Sequence, residues 1–387
     1  MFSMDQCANK ANFERAGAFD YLPPIEVQGD GVGLPVSVKT LEYCDNGDVV
    51  VRLKALGEHD IFICSGHNAP WQFRIPMVNR HNGIYEAILP ASLNLHGNVV
   101  LVFIVDGNDF INPYLPTQFS GNRLVNLIEV PDADTPFTLL QDVPHGSVIR
   151  EVFWSDSVKQ WVRSFVYVPP GYEQGGDYPV LYLQHGACEN ELSWILNGKL
   201  PYIMDNVIAE GKALPFIVVA NNGMHQRPGD HGKNDFAGIE GLITQDCRNW
   251  VEQKYRIRKD KWSRAIAGLS MGSMQASYIG LRHPELFGSV ASFTYLRCRD
   301  RDNSFAGNPH LNVLKNPDQF AKDYRLLFRS IGSAEDHLSE FEEDDRFLEH
   351  CGIDRLPCYH RELIPGGTHD WNCWRPALYS LAQLLFR

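Results

Sequence analysis

Two different rhythms of apolar and polar positions divide the chain. Between about residues 26 and 130, short alternating runs such as "DVVVRLKAL", "DIFICSG", "GIYEAILP" and "NVVLVFIVDG" are separated by clusters of Gly, Asn, Asp and Pro. Period-two alternation broken by turn residues roughly every ten positions predicts a β-sandwich. From about residue 148, strand-like runs alternate instead with amphipathic helical stretches. The predicted strands are "SFVYVP" (164–169), "PVLYLQHG" (179–186), "PFIVVANN" (215–222), "RAIAGLS" (264–270), "GSVASF" (288–293), "YRLLFRSIG" (324–332) and "CYHRELIPGG" (358–367). "LPYIMDNVIAEGK" and "ITQDCRNWVEQKY" are among the predicted helices. This alternation predicts an α/β domain, a mostly parallel sheet with helices on both faces. The stretch 128–147, "IEVPDADTPFTLLQDVPHGS", carries Pro, Asp and Gly and reads as a passage between domains. The expected organisation is therefore an N-terminal extension (1–25), a β-sandwich (26–140) and an α/β domain (148–387).

Composition narrows the function. The 387 residues are 44% hydrophobic and 21% charged, enough to bury two cores without covalent staples. The formal net charge of -12 argues against nucleic acid and anionic membrane surfaces as partners, both being polyanions. No apolar run approaches the ~20 residues of a membrane helix. The opening "MFSMDQCANKANFERAGAFDY" has neither the basic nor the apolar segment of a secretory leader. A cytoplasmic location is expected for the chain as written, and a secreted one if a leader has been removed. The nine cysteines are scattered and form no C-x-x-C pair, so reduced thiols are expected, with no zinc site.

The candidate chemistry lies in "RAIAGLSMGSMQASYIG", residues 264–280. Here a predicted strand ends in Gly268-Leu269-Ser270-Met271-Gly272 and runs into a predicted helix. That is G-x-S-x-G in the strand–turn–helix setting of a nucleophile elbow. The turn is tight enough to strain the serine, and the flanking glycines remove Cβ atoms that would clash. The same motif could instead be a small-residue turn that packs a helix on a strand. A serine hydroxyl needs a base, and in α/β hydrolases the order along the chain is Ser, acid, His. His369, in the loop "LIPGGTHDWNCWRP" after the last predicted strand, is the candidate base. The candidate acid is Glu335 or Asp336, in the loop after "YRLLFRSIG", with Glu335 preferred. The expected oxyanion donors are the backbone N–H groups of Met271 and Ala187. His185 reads as structural, and this chemistry calls for neither metal nor cofactor.

Several segments together resemble a known family. "YVPPGYEQGGDYPVLYLQHGACENELSW", "PFIVVANNG", "RAIAGLSMG", "HPELFGSVASF" and "GGTHDWNCWRPAL" are similar to the esterase D-like branch of α/β hydrolases over roughly 148–387. That branch includes carbohydrate-esterase family one, with its feruloyl and acetylxylan esterases, and the enterochelin esterases. The chain departs from the family elbow at Ser273, where a glycine is usual. The family's acid often sits three residues after a glycine, which maps on Glu335; an insertion relative to the shorter Gly-x-x-Asp pattern would favour Asp336. The resemblance implies an α/β-hydrolase fold and a serine carboxylic-ester hydrolase, foremost a feruloyl esterase acting on plant cell-wall saccharides. It leaves a siderophore trilactone esterase and an acetylxylan esterase as alternatives. An aromatic acyl group would need an apolar slot, for which Trp194, Trp371 and Trp374 lie near the relevant loops. An anionic catecholate would call for Arg227. In the front half, "APWQFRIPMVNRHNGIYEAILP" followed by "VVLVFIVDGNDFINPY" resembles the immunoglobulin-like modules of glycogen-branching enzymes and of some feruloyl esterases, and such modules can bind glucans. Trp71, Tyr85, Phe110 and Tyr114 could stack on sugar rings or simply pack. A carbohydrate-binding protein with an inactive hydrolase half is the non-enzymatic alternative, against which the intact Ser–acid–His order speaks.

Overall fold

A computed structural model describes residues 25–28, 35–66, 72–80, 83–120, 123–225, 236–298, 304 and 306–387. These fall into two compact units that divide between Gln141 and Asp142. In the front unit, β-branched and aromatic residues build two main antiparallel sheets, in addition to the two-stranded pair Ile25–Gln28 and Pro35–Val38. One orders Leu41–Tyr43, Val49–Lys54, Ile84–Leu89 and Val78–Asn79. The larger centres on Gly97–Val105, flanked by Arg123–Val130 and Ile61–Ser65. Val51, Leu53 and Tyr85 of the first meet Ile63, Phe103 and Ile128 of the second in one core, so the unit is a β-sandwich.

The second unit is an α/β-hydrolase fold. Its eight strands are β1 (Ser147–Ser155), β2 (Gln160–Val168), β3 (Val180–Gln184), β4 (Ile217–Asn221), β5 (Arg264–Leu269), β6 (Ser289–Phe293), β7 (Leu326–Gly332) and β8 (Tyr359–Ile364). They lie in the order β1-β2-β4-β3-β5-β6-β7-β8. Strands β3 to β8 are parallel, while β2 is antiparallel to both its neighbours. All seven predicted strands are present. Strand β1 is the addition, and the sequence pattern does not mark it. Phe153 points into the core, but Val148, Val152 and Trp154 point to solvent, which erases the apolar/polar contrast along the strand.

The helices that bear on the site are α1 (Leu200–Ala209), α2 (Met271–Arg282), α3 (Leu338–Cys351) and α4 (Trp371–Leu384). Alternate strand residues explain why both faces are covered. Val180, Tyr182, Val219, Ile266, Val290 and Leu327 share one core with Met274 and Ile279 of α2 and Leu348 of α3. On the opposite face Phe293 meets Phe328 and Trp194, and Trp194 meets Trp371 at the start of α4. With both faces buried, "VLYLQ" and "IVVAN" read as continuous apolar runs. Among the described residues, no helix is long and apolar enough to cross a membrane.

Strand order reverses between β3 and β5. The chain passes from β3 to β4 on one side and from β5 to β6 on the other, which opens a crevice at their carboxyl ends. Helix α3 is clamped to the sheet by Arg329 of β7, a fully buried guanidinium. It donates to Asp345 Oδ1 (2.5 Å) and to the Phe341 carbonyl (3.0 Å), and lies 3.5 Å from Asp344 Oδ2. Asp344 also receives Arg297 Nε and the Leu296 N–H, both at 2.8 Å. The loop 333–337 spans the short gap between these two clamped elements.

Removing one partner of such a buried charge network leaves the others desolvated and unpaired. Arg329→Ala is expected to lower the unfolding free energy by about 3–5 kcal/mol. Urea unfolding followed by tryptophan fluorescence measures it; a loss below about 1 kcal/mol would remove the clamp as an anchor of that loop.

Candidate active site

Ser270 stands at the crevice, between β5 and α2, with φ 51° and ψ −119°. An L-residue tolerates that backbone only where its surroundings enforce it. The two glycines supply the enforcement. A methyl group on Gly268 would lie 2.2 Å from the Gly272 carbonyl oxygen. One on Gly272 would lie 2.6 Å from the carbonyl oxygens of Gln184 and His185. The elbow is therefore backbone pressed on backbone, with no room for a side chain. Ser273, where a glycine is usual, is buried and turns its hydroxyl back to the Ser270 carbonyl at 2.6 Å. Met271 is the first residue of α2, so its N–H belongs to the unbonded first turn, which carries partial positive charge.

Two further loops converge on the serine. Ser270 Oγ lies 3.0 Å from His369 Nε2, and His369 Nδ1 lies 2.5 Å from Glu335 Oε1. Glu335 Oε2 accepts the Gly332 N–H at 3.3 Å, so both carboxylate oxygens are engaged. The carboxylate makes Nδ1 the protonated nitrogen and leaves the Nε2 lone pair facing the hydroxyl. Asp336 is exposed and stands outside this chain of bonds. The loops after β7 and β8 are stitched together by Ala334 N–H to Gly367 O (2.9 Å), Ser333 N–H to Ile364 O (2.9 Å) and Gly366 N–H to Ser333 Oγ (2.7 Å). His369 immediately precedes Asp370, the N-cap of α4, whose carboxylate accepts the Asn372 N–H at 2.8 Å. Its ring packs edge-on against Trp374 and His337, with centroids 5.0 and 5.1 Å away. The sequence offered no signal for His337.

The loop after β3 forms the other wall. His185 is buried; its Nε2 accepts the Gly223 N–H, so Nδ1 carries the proton and donates to the Gly186 carbonyl, each at 2.8 Å. Burial pushes this imidazole down to about 4, so it stays neutral. Because the Gly186 carbonyl is held, the Ala187 N–H of the same planar peptide points the opposite way. Ala187 itself is exposed. Glu189 is buried, and one of its oxygens accepts the Gly186 N–H at 3.0 Å. Burial drives its carboxyl up to about 7, against the opposing pull of the Gly186 amide and the Trp371 indole. Further on, Glu191 binds Arg163 of β2 and Asn222 beside β4, both at 2.9 Å.

The apolar slot expected from Trp194, Trp371 and Trp374 is not formed by these rings. Trp194 and Trp371 are 1% and 2% exposed, so neither offers a face to a ligand. The Trp194 indole N–H is spent on the Gln184 carbonyl at 3.0 Å, and the two rings pack edge to face beneath the loops. Trp374 is likewise buried. Tyr85 is buried in the sandwich core, its hydroxyl donating to the Gly57 carbonyl. Phe110 is exposed, and Tyr114 packs against Ile25 and Ile84. Arg227 and Trp71 lie outside the described residues.

A strained serine, a histidine and a buried carboxylate joined in series at the switch point of a parallel sheet define the serine-hydrolase class of site. The Esterase family ("Putative esterase") matches residues 155–383, and the chain belongs to that family. It is 33% identical over 299 residues to the endo-1,4-beta-xylanase/feruloyl esterase of Xylanibacter ruminicola, across 73% of this chain and 37% of that protein. It is 32% identical over 280 residues to endo-1,4-beta-xylanase Y of Acetivibrio thermocellus, across 65% of this chain and 24% of that one. The chain thus spans well under half the length of either relative. Among solved structures, a ferulic acid esterase is similar at 25% identity and TM-score 0.51, covering 62% of this chain and 97% of its own. The enterobactin esterase of Shigella flexneri is similar over 97% of this chain and 98% of its own, at TM-score 0.62 and 15% identity, a likeness of fold.

The buried loop groups set a stability profile. A carboxyl raised from 4.5 to about 7 stabilises the fold fully below pH 4.5 and loses that contribution as pH rises through 7. A histidine lowered from 6.5 to about 4 acts oppositely: its contribution is full above pH 6.5 and is lost as pH falls toward 4. Glu189→Gln removes only the first effect. Its stability relative to the parent is expected to rise by about 3 kcal/mol between pH 4 and pH 8. Denaturant unfolding at the two pH values reads the difference, and an unchanged difference would contradict the burial of an ionisable group there.

Proposed function

We propose that the chain is a serine carboxylic-ester hydrolase that releases hydroxycinnamoyl groups, such as feruloyl, from esters of plant cell-wall saccharides. The hydrogen-bonded series Ser270–His369–Glu335 carries the reading of the reaction. The likeness to the Xylanibacter ruminicola enzyme, at 33% identity, supports the reading of the substrate. Ser270 Oγ attacks the ester carbonyl while its proton passes to His369 Nε2. Glu335 stabilises the imidazolium that forms. The carbonyl oxygen, now an anion, is met by the N–H groups of Met271 and Ala187. As the tetrahedral species collapses, the C–O bond to the sugar breaks and His369 returns its proton to the leaving alkoxide. Water, deprotonated by His369, then cleaves the acyl-serine and releases the free acid.

A hydrolysis panel tests this: methyl ferulate, a feruloylated arabino-oligosaccharide, acetylated xylan and a catecholate trilactone. Turnover is expected on the first two, with kcat falling by at least about 10⁴-fold in Ser270→Ala. Preferential cleavage of the trilactone or of acetyl groups would redirect the substrate assignment, and an undiminished Ser270→Ala would end the mechanism. A second comparison concerns the acid. Glu335→Gln should lose about 10²–10⁴-fold in kcat while Asp336→Asn stays within about threefold; the reverse ranking would move the acid to position 336.

A further inference from the structure

We propose that Glu189 is a positioning residue for the oxyanion donor: by accepting the Gly186 N–H, its carboxyl closes residues 186–189 into a fixed loop that holds the Ala187 N–H beside Ser270. The proposal rests on the functional reading above and names a group that the reading leaves unused.

Three observations carry it. First, the bond is local and buried. The carboxyl of residue 189 reaches back three residues to the 186 amide, so Ala187 and Cys188 lie inside the ring that it closes. Second, that ring packs beside the side chains of the nucleophile's turn. A Cβ built on Gly186 would lie 3.4 Å from Glu189 Oε2, 3.4 Å from Ser270 Cβ and 2.8 Å from Leu269 Cδ1. A small shift of this residue is therefore felt at Ser270. Third, the enclosed chain is strained: Cys188 takes φ +62°, which a non-glycine residue adopts only under constraint. His185 holds the Gly186 carbonyl and Glu189 holds the Gly186 N–H, so the two peptide planes on either side of that residue are each fixed by a buried side chain. A donor aimed before the substrate arrives costs no reorganisation during the reaction, which is what an oxyanion site requires. The raised carboxyl of Glu189 fits this role, since an acceptor oxygen is needed there and a charge is not.

The test compares the parent with Glu189→Gln, which keeps an acceptor oxygen at the same reach. Glu189→Met keeps the length without the oxygen, and Glu189→Asp keeps the carboxyl but shortens it. Each is assayed for kcat and KM on 4-nitrophenyl acetate and for the rate at which a fluorophosphonate labels Ser270, with circular dichroism to establish folding. Met and Asp are expected to lose about 10²-fold in kcat and in labelling rate, with KM within about threefold. Gln is expected to stay within about fivefold of the parent. Should Met fail to fold, the Asp and Gln pair still decides the matter. The proposal is overturned if folded Met or Asp turns over within about threefold of the parent, or if Gln falls as far as they do. A parent that takes neither ester nor label would sink the functional reading itself, and this proposal with it; a parent that takes both, beside variants that do not differ, would sink the proposal alone.

Discussion

The contact between the Gly268 and Gly272 backbones is the constraint on which everything at the crevice depends. With no side chain between them, β5 and α2 can join through a single residue whose backbone would otherwise be too costly to hold. That one junction stations the Ser270 hydroxyl where the sheet's strand order reverses. It also brings α2 close enough to the end of β3 that Gly272 lies against the Gln184 and His185 carbonyls. The serine turn and the neighbouring loop are therefore packed as one unit. A shift in either would be transmitted by hard-sphere contact rather than through a flexible side chain.

The remaining members arrive from loops at the same end of the sheet. Each loop is fixed by something other than its own bond in the Ser270–His369–Glu335 series. Glu335 comes from a loop strung between β7 and α3, which Arg329 and Asp344 lock together. His369 is held by backbone bonds to that acid loop and by the Asp370 cap behind it. Such redundancy lets a histidine whose side chain is partly open to solvent keep one ring orientation. It also spreads the structural cost of the site over the buried polar groups beneath it as well as the strained serine and the buried Glu335.

Much of this was legible in the sequence, and the gaps have physical reasons. Strands β2 to β8 announce themselves as apolar runs because most are buried on two faces, and the elbow announces itself because only glycine fits its contacts. Strand β1 is hidden because its outward Val148, Val152 and Trp154 are apolar while its inward Glu151 and Ser155 are polar. The choice between Glu335 and Asp336 rests on a single step of backbone rotation, which turns one carboxylate inward and the other to solvent. Residue identity carries no trace of that step. Trp194 and Trp371 sit near the right loops in the sequence, yet which side of a loop a ring occupies is decided by tertiary packing. Glu189 lies in "CENELSW", a segment whose acids look like ordinary surface residues, and only the fold buries it.

The loop after β3 has one more consequence. Its imidazole is kept uncharged by burial, and its acid holds a proton to unusually high pH. In mildly acidic water neither of these two groups adds a charge to this wall of the crevice, and Glu191 further along the loop is paired with Arg163. A negative oxygen forming beside Ser270 would meet neither a countercharge from His185 nor repulsion from Glu189. What these two groups contribute to its field would be that of fixed dipoles, set by the loop's geometry.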